Sequence, residues 1–281
     1  MVWLVDYLSY FYNIDLLILR LGRIASGYMA RNLLYYSRMR YAVIADIHSN
    51  LAAFTAVLSD IEHKGGVDEI WCLGDIVGYG PDPCQCIELL RRYKHVCVAG
   101  NHDWASTGKV DTAYFNPFAT TACKWTHQQL SQDDIEYLDN LPQTIEKEDF
   151  LLVHGSPMEP IWEYITSIGV ATRNFAYFRS LYCLAGHSHE PVIFREEDGS
   201  CVFVPFTPDI GMVLGEKRLI INPGGVGQPR DGDPRASYAI YDSESRIIKL
   251  HRIPYDIGAT QDRMMQAGLP IHLITRLKAG R

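Results

Sequence analysis

The chain has 281 residues and a mass of 31.9 kDa, which fits one large domain with one appendage better than two full domains. Hydrophobic residues make up 47% of it and charged residues 21%, and this composition excludes a disordered or collagen-like protein. The net charge of −7 gives no general attraction for a nucleic-acid backbone, so strong nucleic-acid binding is not expected.

The first 38 residues differ from the rest of the sequence. They are aromatic and apolar, and their net charge of +2 leaves the other 243 residues at −9. Asp6, Asn13, Asp15 and Arg20 interrupt the apolar run, so no membrane span is expected. The run also lacks the early basic residues of a secretory signal. We favour Met39 as the natural start; the alternative is that 1–38 form a loosely attached amphipathic helix.

From Tyr41 onward, strand-like and helix-like stretches alternate. Apolar runs at 41–45, 69–74 and 95–100 predict strands, and the stretches between them, 51–65 and 83–93, predict helices. This βαβαβ order is typical of parallel strands joined by right-handed crossovers. Two more helices are predicted at 116–130 and 131–139. The second would begin after Ser131 as N-cap, with Asp134 three residues on.

The pattern changes after Leu141, where the apolar runs are short, β-branched and separated by turns. Such runs are typical of hairpins, and EEDGS at 196–200 is a predicted hairpin turn. The predicted strands are 143–148, 150–154, 181–186, 191–196, 201–205, 218–222, 236–242 and 246–252. We therefore expect two sheets packed face to face with helices outside, in one domain spanning 39–281.

Polar side chains follow five of these apolar runs. They are Asp46 and His48, Asp75, Asn101 and His102, His154, and His187 and His189. Residues just beyond the carboxyl ends of strands in α/β proteins converge on one crevice, so these five segments are expected to meet. A glycine precedes three of them, at Gly74, Gly100 and Gly186, where the missing Cβ permits a tight turn.

The side-chain types in this set restrict which metals could bind. Carboxylates, an amide and imidazoles without a thiolate suit Mn, Fe, Zn, Co or Ni in the divalent state. More than four ligands implies two ions, and two dications roughly 3.5 to 4 Å apart need a bridging carboxylate. Asp75, which lies between the other segments in the sequence, is the natural bridge. Such a pair of ions would acidify a shared water.

Taken together, the segments resemble the five ordered motifs of the calcineurin-like metallophosphoesterases, especially their small single-domain bacterial and archaeal members. The matching motifs are D-x-H at 46–48, G-D at 74–75, G-N-H-D at 100–103, H-G at 154–155 and G-H-x-H at 186–189. The resemblance implies an α/β fold, the four-layer αββα sandwich with two mixed β-sheets. It also implies an enzyme, a metal-dependent hydrolase of phosphate esters.

The resemblance further implies a role for each motif residue. One ion would be held by Asp46, His48, Asp75 and His189, and the other by Asp75, Asn101, His154 and His187. A hydroxide bridging the two ions would attack phosphorus. His102 would stabilise or protonate the departing oxygen, and Asp103 would orient the His102 ring. Manganese is the expected metal.

The segment 222–237 is rich in Gly and Pro and is a candidate phosphate-binding loop. The amides of Gly224, Gly225 and Gly227 would face the phosphate and Arg230 would clamp its oxygens. The alternative is an ordinary loop with Arg230 paired to Asp231 or Asp233.

Four further residues have two interpretations each. Tyr79 lines the pocket or belongs to a turn entering a helix. Asn50 contacts substrate or caps the helix that begins at Leu51. Trp162 and Tyr164 form an apolar wall for a leaving group or pack in the core.

The expected substrate is a phosphorylated small molecule or nucleotide, preferably a phosphodiester. The alternatives on the same centre are a phosphomonoesterase or protein phosphatase, and a nuclease, which the charge of −9 disfavours. A non-catalytic interaction module is disfavoured because every ligand is present. Seven dispersed cysteines indicate reduced thiols and a cytoplasmic protein. The sequence carries no signal for an oligomeric state.

Overall fold

The computed structural model describes residues 38–281. The predictions for residues 1–38 therefore lie, apart from Arg38, outside the described residues. Within 38–281, no helix is long and apolar enough to cross a membrane.

Twelve strands and eight helices make up the described part. The strands are β1 (Arg40–Ile44), β2 (Glu69–Cys72), β3 (His95–Cys97), β4 (Thr144–Lys147), β5 (Phe150–Val153), β6 (Tyr182–Ala185), β7 (Pro191–Glu197), β8 (Ser200–Val204), β9 (Gly211–Val213), β10 (Leu219–Pro223), β11 (Ala236–Asp242) and β12 (Ile247–Ile253). The helices are α1 (Leu51–His63), α2 (Pro83–Arg91), α3 (Asn101–Thr107), α4 (Pro117–Gln129), α5 (Gln132–Asp139), α6 (Ile168–Asn174), α7 (Ile257–Gln266) and α8 (Ile271–Ala279). Short 3-10 helices cover Thr112–Tyr114 and Phe175–Tyr177.

Sheet A has the strand order β3-β2-β1-β11-β12-β9. Strands β1, β2 and β3 are parallel, as the βαβαβ pattern predicts. Strand β11 pairs with β1 in the antiparallel sense, with Arg40 opposite Asp242. Sheet A therefore combines strands from the two ends of the described chain.

Sheet B has the order β4-β5-β6-β10-β7-β8. The hairpin prediction is confirmed for β4–β5, for β11–β12 and for β7–β8, where Glu197 pairs with Ser200 across the predicted turn. The pairs β5–β6 and β6–β10 are parallel instead. Parallel neighbours need long crossovers, and α6 lies in the connection between β5 and β6.

The two sheets face each other through aromatic side chains. The ring of Trp71 on β2 lies 5.2 Å from that of Phe150 on β5, and Tyr241 on β11 lies 4.9 Å from Phe150. The alternate residues of β2, Ile70 and Cys72, point the other way and pack with α1 and α2. Helices thus cover the outer face of sheet A.

The outer face of sheet B is covered in the same manner. Leu151 and Val153 of β5 pack with Ala171 of α6 and Phe175 just after it. The order of layers is helix, sheet, sheet, helix, which confirms the expected αββα sandwich.

Local capping signals set the helix boundaries that the sequence predicted. Asn50 caps α1 by accepting a hydrogen bond from the amide of Ala53. Ser131 and Asp134 form the expected capping box of α5. Four helices, α3, α6, α7 and α8, and the short strand β9 were not predicted from the sequence.

Candidate active site

The five polar segments follow β1, β2, β3, β5 and β6 and meet at one end of the two sheets. They form two ligand groups. The first group is Asp46, His48 and His189, and the second is Asp75, His154 and His187. In each group the ligand atoms lie within 4.8 Å of one another, and all six side chains are buried. Both sheets contribute to each group.

The first group is compact. His189 Nε2 lies 3.2 Å from Asp46 Oδ1 and 3.2 Å from His48 Nε2. His48 Nε2 lies 3.8 Å from the same Asp46 oxygen. Two imidazole nitrogens and one carboxylate oxygen therefore point at a common centre.

The second group is built in the same manner around His154. Its Nε2 lies 3.4 Å from Asp75 Oδ2, 3.0 Å from His187 Nδ1 and 3.1 Å from Asn101 Oδ1. Asp75 Oδ2 is also 3.5 Å from His48 Nε2 of the first group. Asp75 thus lies between the two groups, where a bridging carboxylate is expected.

Backbone carbonyls fix which ring nitrogen of each histidine faces inward. Because a carbonyl only accepts, the outer ring nitrogen must donate to it, and the inner nitrogen of a neutral imidazole then presents a lone pair. The outer contacts are His48 Nδ1 to Val77 O (3.1 Å), His154 Nδ1 to Leu73 O (2.8 Å), His189 Nδ1 to Gln228 O (2.6 Å) and His187 Nε2 to Trp162 O (3.1 Å). Facing lone pairs repel unless a cation lies between them.

Each carboxylate, like each imidazole, has one atom bound to the backbone and one atom that faces inward. Asp46 Oδ2 accepts the amide of His187 and Asp75 Oδ1 accepts the amide of His102. The other oxygen of each, Asp46 Oδ1 and Asp75 Oδ2, is buried without a hydrogen-bond partner among the described residues. A buried carboxylate oxygen without a partner is costly, and a divalent cation would remove that cost. The residues present therefore fit two metal ions.

The protonation states of three of the four imidazoles agree with this role. Burial lowers the pKa of His48 and of His187 well below the usual 6.5, and burial with the nearby Arg230 charge lowers that of His189. Burial alone would lower the pKa of His154 as well, but the attraction of Asp75 outweighs it and raises that pKa to about 9. Three of the four imidazoles are therefore neutral near pH 7.

The backbone at the site is strained. Asp46, His48, Asp75, His187 and His189 all have positive φ, between 48° and 65°. This left-handed conformation costs non-glycine residues about 1–3 kcal/mol each and is typical of functional sites. Gly74 and Gly100 lie against each other beneath Asp75, and a Cβ on Gly100 would collide with the Asp75 carboxylate. This packing accounts for the two glycines at these positions.

His102 lies beside the first group, and its ring centroid is 4.9 Å from that of His48. Burial lowers the pKa of His102 to about 4. Its Nδ1 lies 3.4 Å from Cys123 Sγ. Burial raises the pKa of Cys123 to about 12, so the thiol is protonated and lies within hydrogen-bonding distance of the ring.

The expected contact between Asp103 and the His102 ring is wrong. The Asp103 carboxylate accepts hydrogen bonds from three backbone amides, those of Asp75 (2.9 Å), Val77 (3.1 Å) and Gly100 (3.0 Å). Three amide donors at short range satisfy the carboxylate where it lies, at the start of α3. Asp103 therefore holds the loop that carries Asp75.

The segment 222–228 packs directly against the first group, but two of its amides are not available to a phosphate. Gly227 donates to Asp46 O (2.8 Å) and Gly224 donates to Asn222 Oδ1 (2.8 Å). Gly225 packs beside His189, where a Cβ would lie 3.1 Å from the His189 Cβ. The amide cradle expected here is therefore wrong for Gly224 and Gly227.

Arg230 lies at the site, and the alternative pairing with Asp231 or Asp233 is wrong. Those two aspartates pair with Arg252 and Arg235 instead. Arg230 Nη2 donates to Gln228 Oε1 (3.2 Å), and the guanidinium lies 5.9 Å from the Tyr79 ring centroid. Within residues 38–281 its buried Nε has no hydrogen-bond partner.

Tyr79 and Asn50 are both buried close to the first group. The Tyr79 ring lies 4.6 Å from that of His48 and 4.2 Å from that of His102. Asn50 accepts from Ala53 and Thr260 and donates to Gly227 O. These contacts support the capping interpretation of Asn50. Tyr79 fits both of its interpretations, because its ring lines the site and it lies in the turn before α2.

Several residues at the site were missed by the sequence motifs. They are Cys123, Phe115, Gln228 and Arg276. Arg276 lies on α8, whose Leu273 and Leu277 pack against Tyr79, and burial with the charge of Arg230 lowers its pKa. None of the four lies at a strand end, so the strand-end pattern gave no signal for them.

Comparison with known proteins agrees with this geometry. The model of the calcineurin-like phosphoesterase superfamily domain matches residues 39–246. A metallophosphoesterase from Sphaerobacter thermophilus is 46% identical with a TM-score of 0.80, covering 87% of this chain and 100% of its own. An uncharacterized protein from Methanocaldococcus jannaschii is 40% identical over 246 residues, 85% of this chain and 98% of its own.

A shorter match has a named activity. A symmetrical bis(5'-nucleosyl)-tetraphosphatase from Pseudomonas putida is 35% identical over 65 residues, which is 22% of each protein. The match with the family model and the extensive similarity to the Sphaerobacter and Methanocaldococcus proteins determine the family. The chain belongs to the calcineurin-like phosphoesterase superfamily and is a hydrolase of phosphate esters.

Proposed function

We propose that the protein hydrolyses phosphodiesters with two divalent metal ions, one held by Asp46, His48, Asp75 and His189 and the other by Asp75, Asn101, His154 and His187. The observation that carries the proposal is the inward orientation of four imidazoles around two buried carboxylate oxygens that lack partners. Manganese is the metal we expect, and the oxygen and imidazole donors also suit Fe, Zn, Co and Ni.

When bound, the ions would supply a nucleophilic hydroxide at neutral pH and neutralise the phosphoryl oxygens. The chain's own residues orient the substrate. Arg230 has a buried N–H without a partner, which makes it a donor for a phosphoryl oxygen. His102 has Nδ1 turned to Cys123, so Nε2 remains to donate to the departing oxygen and stabilise its charge.

The substrate we propose is a phosphorylated small molecule or nucleotide. The Pseudomonas putida relative is named for its action on a nucleotide, which supports this class. Phosphomonoesters are the second candidate, because metal ions that bind only the phosphoryl group leave the second ester unspecified. A nuclease would need a basic track for the backbone, and the charge of −9 on residues 39–281 argues against one.

The test compares bis(p-nitrophenyl) phosphate with p-nitrophenyl phosphate, with added Mn and after chelation. We expect metal-dependent hydrolysis with the diester faster. Asp75→Asn should remove bound metal and lower turnover at least about 10³-fold, because both ions lose a shared ligand. Asp262→Asn, an exposed carboxylate on α7, is the matched control and should keep wild-type activity. Equal rates in the two variants would refute the proposed centre.

We also propose that residues 39–281 form the catalytic domain and that the enzyme works in the cytoplasm. All seven cysteines are free thiols. Free buried thiols suit a reducing compartment. Fractionation of cells that produce the tagged protein tests the location.

A further inference from the structure

One side of the site is lined by four aromatic rings from two loops. The rings are Tyr114, Phe115, Trp162 and Tyr164, which we call the aromatic wall. Phe115 lies 4.6 Å from the His102 ring, and Tyr164 stacks on His187 at 3.8 Å with 20° between the planes. The wall therefore touches both the second ligand group and the proposed donor to the departing oxygen.

Three of the four rings contact one another. Trp162 joins them, with its ring centroid 5.3 Å from Phe115 and 5.7 Å from Tyr114. The fourth ring, Tyr164, packs on His187. The backbone carbonyl of Trp162 also accepts from His187 Nε2 at 3.1 Å, which fixes the wall relative to the site. The wall is therefore held by direct contacts on both sides.

The outer rings of the wall are exposed. Tyr114 is 82% exposed and Tyr164 is 45% exposed. Phe115 and Trp162 are half-buried, so the two tyrosines are the most exposed rings of the wall. Exposed aromatic faces beside a phosphate-binding centre are the chemistry that stacks a nucleobase, because every base has a π-face.

We infer that the aromatic wall binds the base of a nucleotide substrate whose phosphate lies at the two ligand groups. The inference rests on the proposed function and narrows its substrate class to nucleoside-bearing phosphate esters. Arg230, the proposed phosphate donor, lies 5.9 Å from the Tyr79 ring centroid, and the Tyr79 ring lies 4.2 Å from that of His102, which Phe115 of the wall contacts. Stacking on aromatic faces tolerates every base, so we expect weak discrimination among bases.

The test uses two diesters with the same leaving group, p-nitrophenyl thymidine 5'-phosphate and p-nitrophenyl methyl phosphate. The wild type should prefer the nucleoside ester in kcat/KM by at least about tenfold. Tyr114→Leu and Tyr164→Leu should each lower that preference about 5- to 100-fold, the range measured for loss of one stacked base. Tyr114→Phe and Tyr164→Phe should restore it, because they keep the ring.

Tyr177→Leu is the control, since Tyr177 is 57% exposed but lies outside the aromatic wall. It should leave the preference unchanged. A wild-type ratio near one, or equal losses on both esters in the leucine variants, would overturn the inference while leaving metal-dependent hydrolysis of bis(p-nitrophenyl) phosphate intact.

A binding measurement separates the inference from the proposed function. Calorimetric titration of chelator-treated protein with AMP and with ribose 5-phosphate gives two affinities, and their difference measures the contribution of the base. AMP should bind at least about fivefold more tightly than ribose 5-phosphate, and Tyr164→Leu should remove the difference. Equal affinities for the two ligands would overturn the inference even if hydrolysis of both esters fails.

Discussion

At the scale of single residues, the site depends on which atom of each side chain faces inward. His102 is the residue whose role is most open to a direct test. His102→Ala should lower kcat about 10²- to 10⁴-fold, the range for loss of a positioned donor at the departing group. Metal content, measured by mass spectrometry, should stay at the wild-type level because His102 belongs to neither ligand group. His63→Ala on exposed α1 surface is the control, and equal rates in both variants would contradict the role.

Cys123 is a positioning residue, because it acts on His102 and not on substrate. Cys123→Ala should lower kcat about 2- to 10-fold with little change in KM, since a weak hydrogen bond to His102 Nδ1 is lost. Cys123→Ser keeps a donor and should recover most of the rate. Cys86→Ala removes another fully buried thiol, on α2, and controls for cavity effects. A kcat loss in the serine variant as large as that in the alanine variant would exclude the donor role.

At the scale of elements, Asn50 connects three parts of the fold. Its side chain caps α1, accepts from Thr260 of α7 and donates to Gly227 in the loop beside Asp46. Asn50→Ala should reduce the free energy of unfolding by about 2–3 kcal/mol, of which the cap accounts for about 1 and the two buried hydrogen bonds for the rest. Urea denaturation measures this loss.

Ser131→Ala is the matched control, since Ser131 caps exposed α5 through its own capping box alone. It should cost about 1 kcal/mol. Asn50→Asp keeps the acceptor oxygen and should fall between the two variants. An Asn50→Ala loss no larger than that of Ser131→Ala would mean that the contacts with Thr260 and Gly227 add nothing.

Elements with local signals could be predicted from the sequence, and elements fixed by distant contacts could not. Helix α1 has its cap and its buried face at Phe54, Val57 and Ile61 within one stretch. Helix α8 buries Leu273, Ile274 and Leu277 against Tyr79, which lies about 200 positions earlier. Taken alone, the α8 sequence has only a short run of apolar residues and a last turn with basic residues, which is too weak a signal to predict a helix. The parallel pairing of β10 with β6 depends on distant contacts in the same way.

Some residues of the site could likewise be predicted from the sequence, and others could not. All six residues of the two ligand groups follow strand ends, so the convergence rule was enough to gather them. The roles of Asp103 and of the glycine loop depend on which amides already have acceptors, and a sequence does not show that. Arg276, Phe115 and Cys123 reach the site through helices and loops whose packing is long-range.

At the scale of the whole molecule, metal binding and folding should be coupled. The ligands come from both sheets, and a cation that binds only the folded protein stabilises it by about 2.7 kcal/mol at a hundredfold excess over Kd. For a domain of this size that corresponds to a Tm increase of about 5–10 °C. Scanning calorimetry with Mn against chelator measures it.

Asp75→Asn should abolish this increase, and Asp262→Asn should retain it. The comparison separates specific binding from a general salt effect. An identical Tm with and without Mn in the wild type, or the same increase in Asp75→Asn, would contradict the coupling.

The pairing of β1 with β11 has a consequence for how the protein is made. Arg40 pairs with Asp242, so one edge of β1 has no neighbour until some 200 further residues have left the ribosome. An early, parallel three-stranded piece with an open edge is prone to intermolecular association. Nascent chains stalled before β11 should therefore depend on chaperones, whereas chains released after it should not.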